Sequence, residues 1–318
     1  MRLHELDFAK FLAGKEASVL AELARAYAQA LADVRQQLSV LESRSQTQSV
    51  FHQIRFKQAQ ERQLLATVRA LRDREIKTIS EYQKFMHQNG FIAVSQGLNA
   101  DGVALVIPID PNVTASSLMN QVQGLNFADR IGIQMADFHN SIARAINSGI
   151  ARGATFAEIT REIVRVAESR LNFAYRIAIT EGNRVLNQAK WQAMREAERR
   201  GAEVMKQWHS ALLTTTRDTH ADMHGQLREI DDWFENLNGD RALHPLGFGI
   251  AAEDINCHCT LLQRARWALA AEQVDELAKV EGMDELMKAE DYAEYREVYN
   301  AKADEVAQRQ AEILEEEK

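Results

Sequence analysis

Apolar residues recur at helical spacing through the first part of the chain. Between residues 15 and 89 there is no glycine and no proline, which removes the strongest helix breakers. Two long amphipathic helices are therefore predicted, with a turn in the polar segment 43–49. The second helix is expected to end at Asn89-Gly90, a typical C-terminal signal. The two apolar stripes comprise Leu20, Leu23, Tyr27, Leu31, Val34, Leu38 and Leu41, and then Phe51, Ile54, Leu64, Val68, Leu71, Ile76, Ile79 and Tyr82.

The pattern changes after residue 90. The apolar runs at 91–94 and 103–109 predict two short strands, with prolines at the end of the second run. Helical spacing returns between Ile131 and Ile146, and glycines end that helix. Thr155-Phe-Ala-Glu158 is a capping box, because each side chain can satisfy a free backbone N–H at a helix start. Further helices are expected at about 156–168 and 170–200.

The segment after residue 200 mixes short elements with a long loop. Strands are expected at 203–208 and 227–230, with a short helix at 214–224 between them. Residues 231–256 are rich in Asp, Asn, Gly and Pro and predict an irregular loop. Such a long loop is usually functional, or it is anchored by something other than its own core. Helical spacing is expected again from Arg264 onwards.

These elements predict a mainly α protein with a small α+β part. Residues 1–91 form a long helical hairpin or arm, and residues 92–200 form a helical body with short strands at its start. Residues 201–266 form a loop-rich α+β subdomain, for which zinc is one candidate anchor. Residues 267–318 form an acidic C-terminal helix or tail.

Composition and charge narrow the class of protein. The 318 residues are 46% hydrophobic, which suits a folded chain, and no stretch of apolar residues is long enough to span a membrane. The first residues lack the apolar core of a signal peptide, so synthesis in the cytoplasm is expected. Residues 268–318 hold sixteen acidic and six basic residues, a net −10, so the other 267 residues carry +2 of the total −8.

The second predicted helix is basic. Between residues 51 and 80 seven basic residues stand against three acidic ones, a net +4. This helix is either a contact surface for DNA or an acidic partner, or simply a solvated face, because the bases lie around the helix without interleaved aromatics. The basic residues are Arg55, Lys57, Arg62, Arg69, Arg72, Arg74 and Lys77.

A cluster of histidines and cysteines is the first candidate site. His220 and His224 are four residues apart, so they share a face of the predicted helix, and Cys257 and Cys259 follow the long loop. Two nitrogens and two sulfurs make a tetrahedral structural zinc site. The alternative is two buried apolar cysteines and two surface histidines. A disulfide between cysteines so close in sequence would be strained.

A second set of polar residues lies on one face of the predicted helix 170–200. Its members are Arg176, Thr180, Glu181, Arg184 and Asn187. They form either an acid–base or anion site, or a salt-bridged network that positions the helix against the loop subdomain. We expect the structural network.

Other catalytic signatures are absent from the sequence. The chain has no Gly-x-Ser-x-Gly, no phosphate-binding loop and no dinucleotide fingerprint. A metal-dependent hydrolase or nuclease is the enzymatic alternative, with His220, His224 and a cysteine on zinc and Glu181 or Asp218 as base. We expect a protein that is not an enzyme.

The order of these motifs resembles one family. The motifs begin with Arg176, Thr180-Glu181, Arg184 and Asn187. They continue with Lys206-x-Trp208, then Arg217-Asp-Thr-His220 through Gly225, then Ile255-Asn256-Cys257-His258-Cys259. Over about residues 110–265 the chain looks like the tailed-phage head morphogenesis or minor capsid proteins that are similar to the phage Mu F protein. It departs from their usual pattern at His258, which is commonly arginine, and at His224, which is commonly acidic.

The resemblance implies a minor head protein made in the host cytoplasm and located in the virion, in the capsid interior or at the portal vertex. It implies a structural or assembly role in head morphogenesis, with a link to DNA packaging or ejection. The implied partners are the portal protein, other head proteins, scaffold and DNA, and the protein would be an oligomer or occur in multiple copies. Some relatives carry toxin domains after this core.

Overall fold

The computed structural model describes residues 2–44, 50–103, 105–109, 126–266 and 292–301. For residues 41–44, 50–61, 150 and 156 it describes only the backbone. The protein is mostly helical with a small sheet part, as the sequence predicts. Among the described residues, no helix has both the length and the apolar character needed to cross a bilayer.

Four long helices and a set of short elements follow one another along the chain. The long helices are α1 (Leu3–Arg44), α2 (Val50–Ala100), α3 (Phe127–Ala151) and α4 (Phe156–Arg199). The short elements are β1 (Val204–His209), α5 (Asp218–Asp222), β2 (Leu227–Arg228), β3 (Phe234–Glu235), β4 (Arg241–Ala242), α6 (Ala251–Asp254) and β5 (Thr260–Ala265). Residues 292–301 are helical.

The chain folds into two compact units, each built from separate segments. Unit 1 comprises residues 1–16, 82–123 and 179–318, and unit 2 comprises residues 17–81 and 124–178. Helices α1, α2 and α4 therefore each contribute residues to both units.

Unit 2 is a helical core around one buried ion pair. Several residues of the predicted stripes are buried here, among them Leu23, Tyr27 and Val68. The side chains of Leu41, Phe51 and Ile54 lie outside the described residues. The guanidinium of Arg170 donates to the Glu75 carboxylate at 3.1 Å, and the Tyr27 hydroxyl donates to the same carboxylate at 3.0 Å. Burial raises the pKa of Glu75, against the opposing effect of Arg170.

Unit 1 carries the sheet. The strands are antiparallel in the order β2-β1-β5, and β1 pairs with β5 from Val204 opposite Ala265 to His209 opposite Thr260. Strands β3 and β4 form a separate hairpin inside the predicted 231–256 loop. The core of this unit includes Phe91, Leu98, Met194, Trp208 and Phe234, which are all buried.

The prediction that α2 ends at Asn89-Gly90 is wrong, and so is the prediction of strands at 91–94 and 103–109. Helix α2 continues to Ala100, and the described part of 103–109 is irregular. Gly90 instead lies where α2 packs too closely on α4 to leave room for a side chain. A Cβ built at Gly90 would lie 2.7 Å from the Ala189 Cβ and 2.9 Å from the Leu186 carbonyl oxygen.

Two further predictions differ from the structure. The helices expected at 156–168 and 170–200 are the single helix α4. Arg264, the predicted start of a C-terminal helix, instead lies in β5, which runs through Ala265. Of the predicted acidic C-terminal helix, residues 292–301 are helical, and 267–291 and 302–318 lie outside the described residues. The capping box is confirmed, since the Thr155 backbone N–H donates to the Glu158 carboxylate at 2.8 Å and the Glu158 N–H donates to the Thr155 hydroxyl at 3.3 Å.

Candidate metal centre

Three buried side chains in unit 1 bring metal-ligand atoms together. The Nδ1 atom of His220 lies 3.5 Å from the Sγ of Cys257 and 3.5 Å from the Sγ of Cys259. The three ligand atoms lie within 4.8 Å of one another. His220 comes from α5, and the cysteines lie in the short connection between α6 and β5. We call these three residues the ligand cluster.

The spacing of the ligand cluster fits a tetrahedral zinc ion. Zinc–sulfur bonds of about 2.3 Å and zinc–nitrogen bonds of about 2.0–2.1 Å, at the tetrahedral angle, place nitrogen and sulfur about 3.6 Å apart. The two distances of 3.5 Å match this value. Thiolate and imidazole are also the donors that zinc prefers in tetrahedral sites. Both nitrogen–sulfur distances therefore fit a tetrahedral zinc ion.

The far nitrogen of the His220 ring is held by a carboxylate. His220 Nε2 lies 2.8 Å from Glu253 Oε2, and the Thr219 hydroxyl donates to the same oxygen at 3.3 Å. A carboxylate in this position keeps the proton on Nε2 and leaves Nδ1 free as a ligand, the usual arrangement behind a metal-bound histidine. The ring also stacks on Phe248 and meets the edge of Trp208, which fixes its orientation.

The two thiols differ in acidity. The pKa of Cys259 is lowered because the Cys257 thiol donates a hydrogen bond to it, and His220 lowers it further. The pKa of Cys257 is raised by that same hydrogen bond and by burial. The backbone N–H of Cys259 points at the Cys257 sulfur at 3.4 Å. A bound cation would favour loss of the thiol protons, because zinc binds cysteine as the thiolate.

Helix α4 holds the backbone of the cysteine segment. The Thr180 hydroxyl accepts from the Asn256 N–H at 3.0 Å, and the Asn183 amide donates to the Cys257 carbonyl at 3.4 Å. The Asn187 amide donates to the Cys259 carbonyl at 3.0 Å and accepts from the Leu261 N–H at 2.7 Å. Three side chains about one helical turn apart therefore satisfy backbone groups of residues 256, 257 and 259, which precede β5, and of Leu261 within it.

The remaining members of the predicted polar face separate into two groups. Arg184 donates to the buried Glu181 carboxylate at 2.8 and 3.0 Å, and Gln83 donates to it at 3.1 Å. Arg176 is exposed, and its guanidinium lies over the Phe173 ring. Glu181 is thus engaged in a buried ion pair, which leaves it poorly placed to act as a general base.

The structure places His224 away from the ligand cluster. Its side chain is exposed, its Nδ1 accepts from the Ser210 N–H at 3.2 Å, and its ring lies 4.9 Å from the His209 ring. The physical reason is the length of α5, which ends at Asp222. Beyond the helix end, residues four apart no longer share a face.

The basic residues of α2 are surface residues where they are described. Arg62, Arg69, Arg72, Arg74 and Lys77 are exposed, and the side chains of Arg55 and Lys57 lie outside the described residues. Two of the bases have acidic neighbours on the same helix: Arg72 lies 3.4 Å from Asp73, and Lys77 lies 3.9 Å from Glu81.

Two residues of the site are missing from the sequence-based prediction, Glu253 and Asn183. The sequence signal for Glu253 is its place four residues before Cys257, a candidate ligand. A carboxylate near such ligands can orient a metal-bound histidine, here His220. Asn183 lies between Thr180 and Asn187 on the same helical face, where a clamp on an irregular segment needs amide or hydroxyl groups.

Comparison with known proteins supports the resemblance drawn from the motifs. Residues 140–262 match the family model described as "Phage Mu protein F like protein", so the predicted resemblance is confirmed. This segment contains the whole ligand cluster, Glu253 and the α4 residues that hold the cysteine segment. No solved structure matches the chain.

Two curated proteins are similar over part of the chain. Minor head protein GP7 of Bacillus phage SPP1 is 26% identical over 151 residues, which cover 48% of this chain and 49% of that protein. The protein named NAD(+)–arginine ADP-ribosyltransferase EFV of Enterococcus faecalis (strain ATCC 700802 / V583) is 29% identical over 189 residues, 59% of this chain and 39% of that protein. The chain thus spans less than half the length of either relative.

Proposed function

We propose that the protein is a structural component of a phage head, in which a zinc ion on the ligand cluster fixes the fold of a minor head protein. The single observation that supports the proposal is that the polar residues of the family-matched segment 140–262 bind other groups of the same chain. Thr180, Asn183 and Asn187 bind backbone groups of the same chain, and Glu181 is paired with Arg184. Groups committed in this way hold a fold together rather than act on a substrate.

The proposed zinc joins two parts of the chain that lie in short or irregular elements. His220 lies in a helix of five residues, and the cysteines lie in a connection without strand pairing. Short elements of this kind do not bury enough apolar area to be stable by themselves. A bound ion would tie α5 to the start of β5 and so anchor the intervening loop, which is how structural zinc contributes to folding.

The family match and the likeness to a minor head protein support a place in the virion, with other head proteins as partners. The finer proposal is association with the portal vertex or the capsid interior, as an oligomer or in multiple copies, after synthesis in the host cytoplasm. A scaffold protein and DNA are further proposed partners. The C-terminal segment 268–318, with its net −10, offers charge for basic assembly partners.

The test is the composition of purified virions and of portal complexes. The protein is expected in particles that have been freed of soluble proteins, and it is expected to co-purify with the portal ring when the two are expressed together. Particles that lack this protein are expected to be defective in head assembly or DNA content. Absence from both virions and portal complexes would contradict the proposal.

Two activity assays on the full chain address other functions. The name of the enterococcal relative makes transfer of ADP-ribose from NAD⁺ to arginine worth measuring, and the metal-dependent hydrolase alternative requires a nuclease and peptidase assay. We expect neither activity. Turnover that disappears on substitution of Glu181 or Asp218 would favour the enzymatic alternative.

The basic face of α2 is a proposed contact for DNA. Binding of duplex DNA by the full chain should weaken steeply with salt if the exposed arginines contact phosphates. Replacement of Arg69 and Arg74 by glutamine should then lower the salt dependence. Absence of binding at low salt would leave this helix as a solvated face.

A further inference from the structure

The ligand cluster supplies three donors, whereas a closed structural zinc site needs four. Among the described residues, only one cluster of three or more histidine, cysteine or acidic side chains could hold a metal ion. It consists of His220, Cys257 and Cys259. The Glu253 carboxylate sits on the opposite nitrogen of the His220 ring and so faces away from the ion position. The fourth donor of a tetrahedral ion must therefore come from elsewhere.

Two histidines near the ligand cluster in sequence could supply that donor, but neither belongs to the cluster in the structure. His224 is exposed and its Nδ1 is occupied by the Ser210 N–H. His258 stands between the two cysteines, and its side chain is half-buried without entering the ligand cluster.

A small cavity adjoins all three ligands. It measures about 10 Å³, close to the volume that one water molecule requires. Its wall includes His220, Cys257, Cys259, His258 and Arg217. We call it the cysteine cavity. Asn256 and four residues of the segment 211–216, among them the exposed Leu213 and Thr215, complete the wall.

Among the described residues, the wall of this cavity includes the guanidinium of Arg217 and no carboxylate, and Glu253 lies on the opposite nitrogen of the His220 ring. Zinc with two thiolates and a neutral imidazole is uncharged, and the guanidinium of Arg217 lines the cavity while one of its nitrogens donates to the Ile255 carbonyl at 2.8 Å. A guanidinium has five N–H donors, so this hydrogen bond does not exhaust it. The cavity is thus better suited to a small anion, or to water that has lost a proton, than to a cation.

We propose that the metal centre has three protein ligands and an open fourth position at the cysteine cavity, which takes one small exchangeable donor, preferably an anion. This rests on the proposed metal centre and goes beyond its structural role. An ion with such a position holds the fold and also binds an external ligand, in the way that sites with two cysteines and one histidine do when water completes the coordination.

Cobalt substitution in the full-length protein tests the open position. Co²⁺ in a tetrahedral site of thiolates and imidazole gives visible absorption bands that respond to any change of ligand. One Co²⁺ per chain is expected, and titration with sodium azide should shift the bands in a saturable way. His224→Ala should bind cobalt with the wild-type spectrum and show the same azide response, and His258→Ala should bind cobalt with the wild-type spectrum.

The outcomes separate the two proposals. Stoichiometric cobalt with a spectrum that azide does not change, or a spectrum altered by His224→Ala or His258→Ala, would show a fourth protein ligand and overturn the open position alone. Failure to bind cobalt at all would overturn the metal centre, and the open position with it.

The preference for an anion has its own test. Arg217→Gln should weaken azide binding to the cobalt protein by about fivefold, and Arg217→Lys should retain most of the affinity. Arg199→Gln, an exposed arginine at the end of α4, is the matched control and should bind azide as the wild type does. Equal affinity in Arg217→Gln and wild type would remove the preference.

Discussion

At the scale of single residues, the sequence identifies candidate metal ligands better than it predicts which of them come together in space. His220, Cys257 and Cys259 are found by residue type and proximity in sequence, and the structure brings their ligand atoms together. His224 is included in the sequence-based set only because a helix is assumed to continue through it. Helix α5 instead ends at Asp222, three residues before Gly225.

Glu253 is predicted to control metal affinity through the His220 ring. Glu253→Gln removes the negative charge that favours Nδ1 as the ligand, so zinc affinity should fall by about 10–100-fold. A competition titration with a chromophoric chelator measures this. Glu235→Gln, an exposed glutamate on β3, is the control and should leave the affinity unchanged. An unchanged affinity in Glu253→Gln would mean that the carboxylate does not orient the ring.

Lys206 is predicted to produce a measurable pH dependence of stability. Its side chain is fully buried, and burial lowers the pKa from the ordinary 10.5 to about 8. Between these pH values the unfolded chain binds the proton and the folded chain does not, so the free energy of unfolding rises with pH. The rise from this one group should be about 3 kcal/mol.

Lys206→Met tests this prediction. Urea unfolding at pH values between 7 and 10.5 should show that the variant loses this part of the rise, and the difference between wild type and variant isolates the lysine from other titrating groups. Parallel curves for the two proteins over this range would contradict the lowered pKa.

At the scale of elements, two kinds of signal mislead a prediction from sequence. Asn89-Gly90 has the composition of a helix end, but Gly90 allows α2 to pack closely on α4, a contact between residues far apart in sequence. Strand β5 escapes detection because Gln263 and Arg264 interrupt its apolar pattern although both are buried. Arg264 is paired with Glu5 and Gln207, and these partners cannot be inferred from local sequence. The long helices and the capping box are predictable because their signals are local.

Two glycine-to-alanine substitutions, with opposite expected effects on the free energy of unfolding, test the packing of α2. Gly90→Ala would force the two helices apart, and we expect it to lower the free energy of unfolding by about 1–3 kcal/mol. Gly14→Ala is the matched control in α1, where a Cβ would meet nothing within 4 Å. It should raise stability by about 0.5–1 kcal/mol, since alanine favours a helix over glycine. Stabilisation of both variants would contradict the close contact.

At the scale of the whole molecule, the two units differ in what stabilises them. Unit 2 consists of long amphipathic helices around a buried Tyr27–Glu75–Arg170 group. Unit 1 combines a helical core with short strands and a long connection at the ligand cluster. The segments that make up each unit cannot be predicted from their order along the chain, because three long helices each contribute residues to both units.

Removal of metal should therefore affect only part of the molecule. In hydrogen exchange with a chelator present, amides of α5 and of residues 255–261 should lose protection, while those of α2 and α4 in unit 2 should keep it, because no residue of the ligand cluster lies in that unit. A comparison with and without zinc is the measurement. Equal loss of protection throughout the chain would show that the ion stabilises the whole fold and not one region.

The most direct test of the account is the metal content of the purified protein, determined by elemental mass spectrometry for the wild type and for Cys257→Ser. The account predicts about one zinc ion per chain in the wild type and a loss of most of it in the variant. Wild-type protein without stoichiometric metal, or equal metal in both proteins, would contradict a metal centre at His220, Cys257 and Cys259.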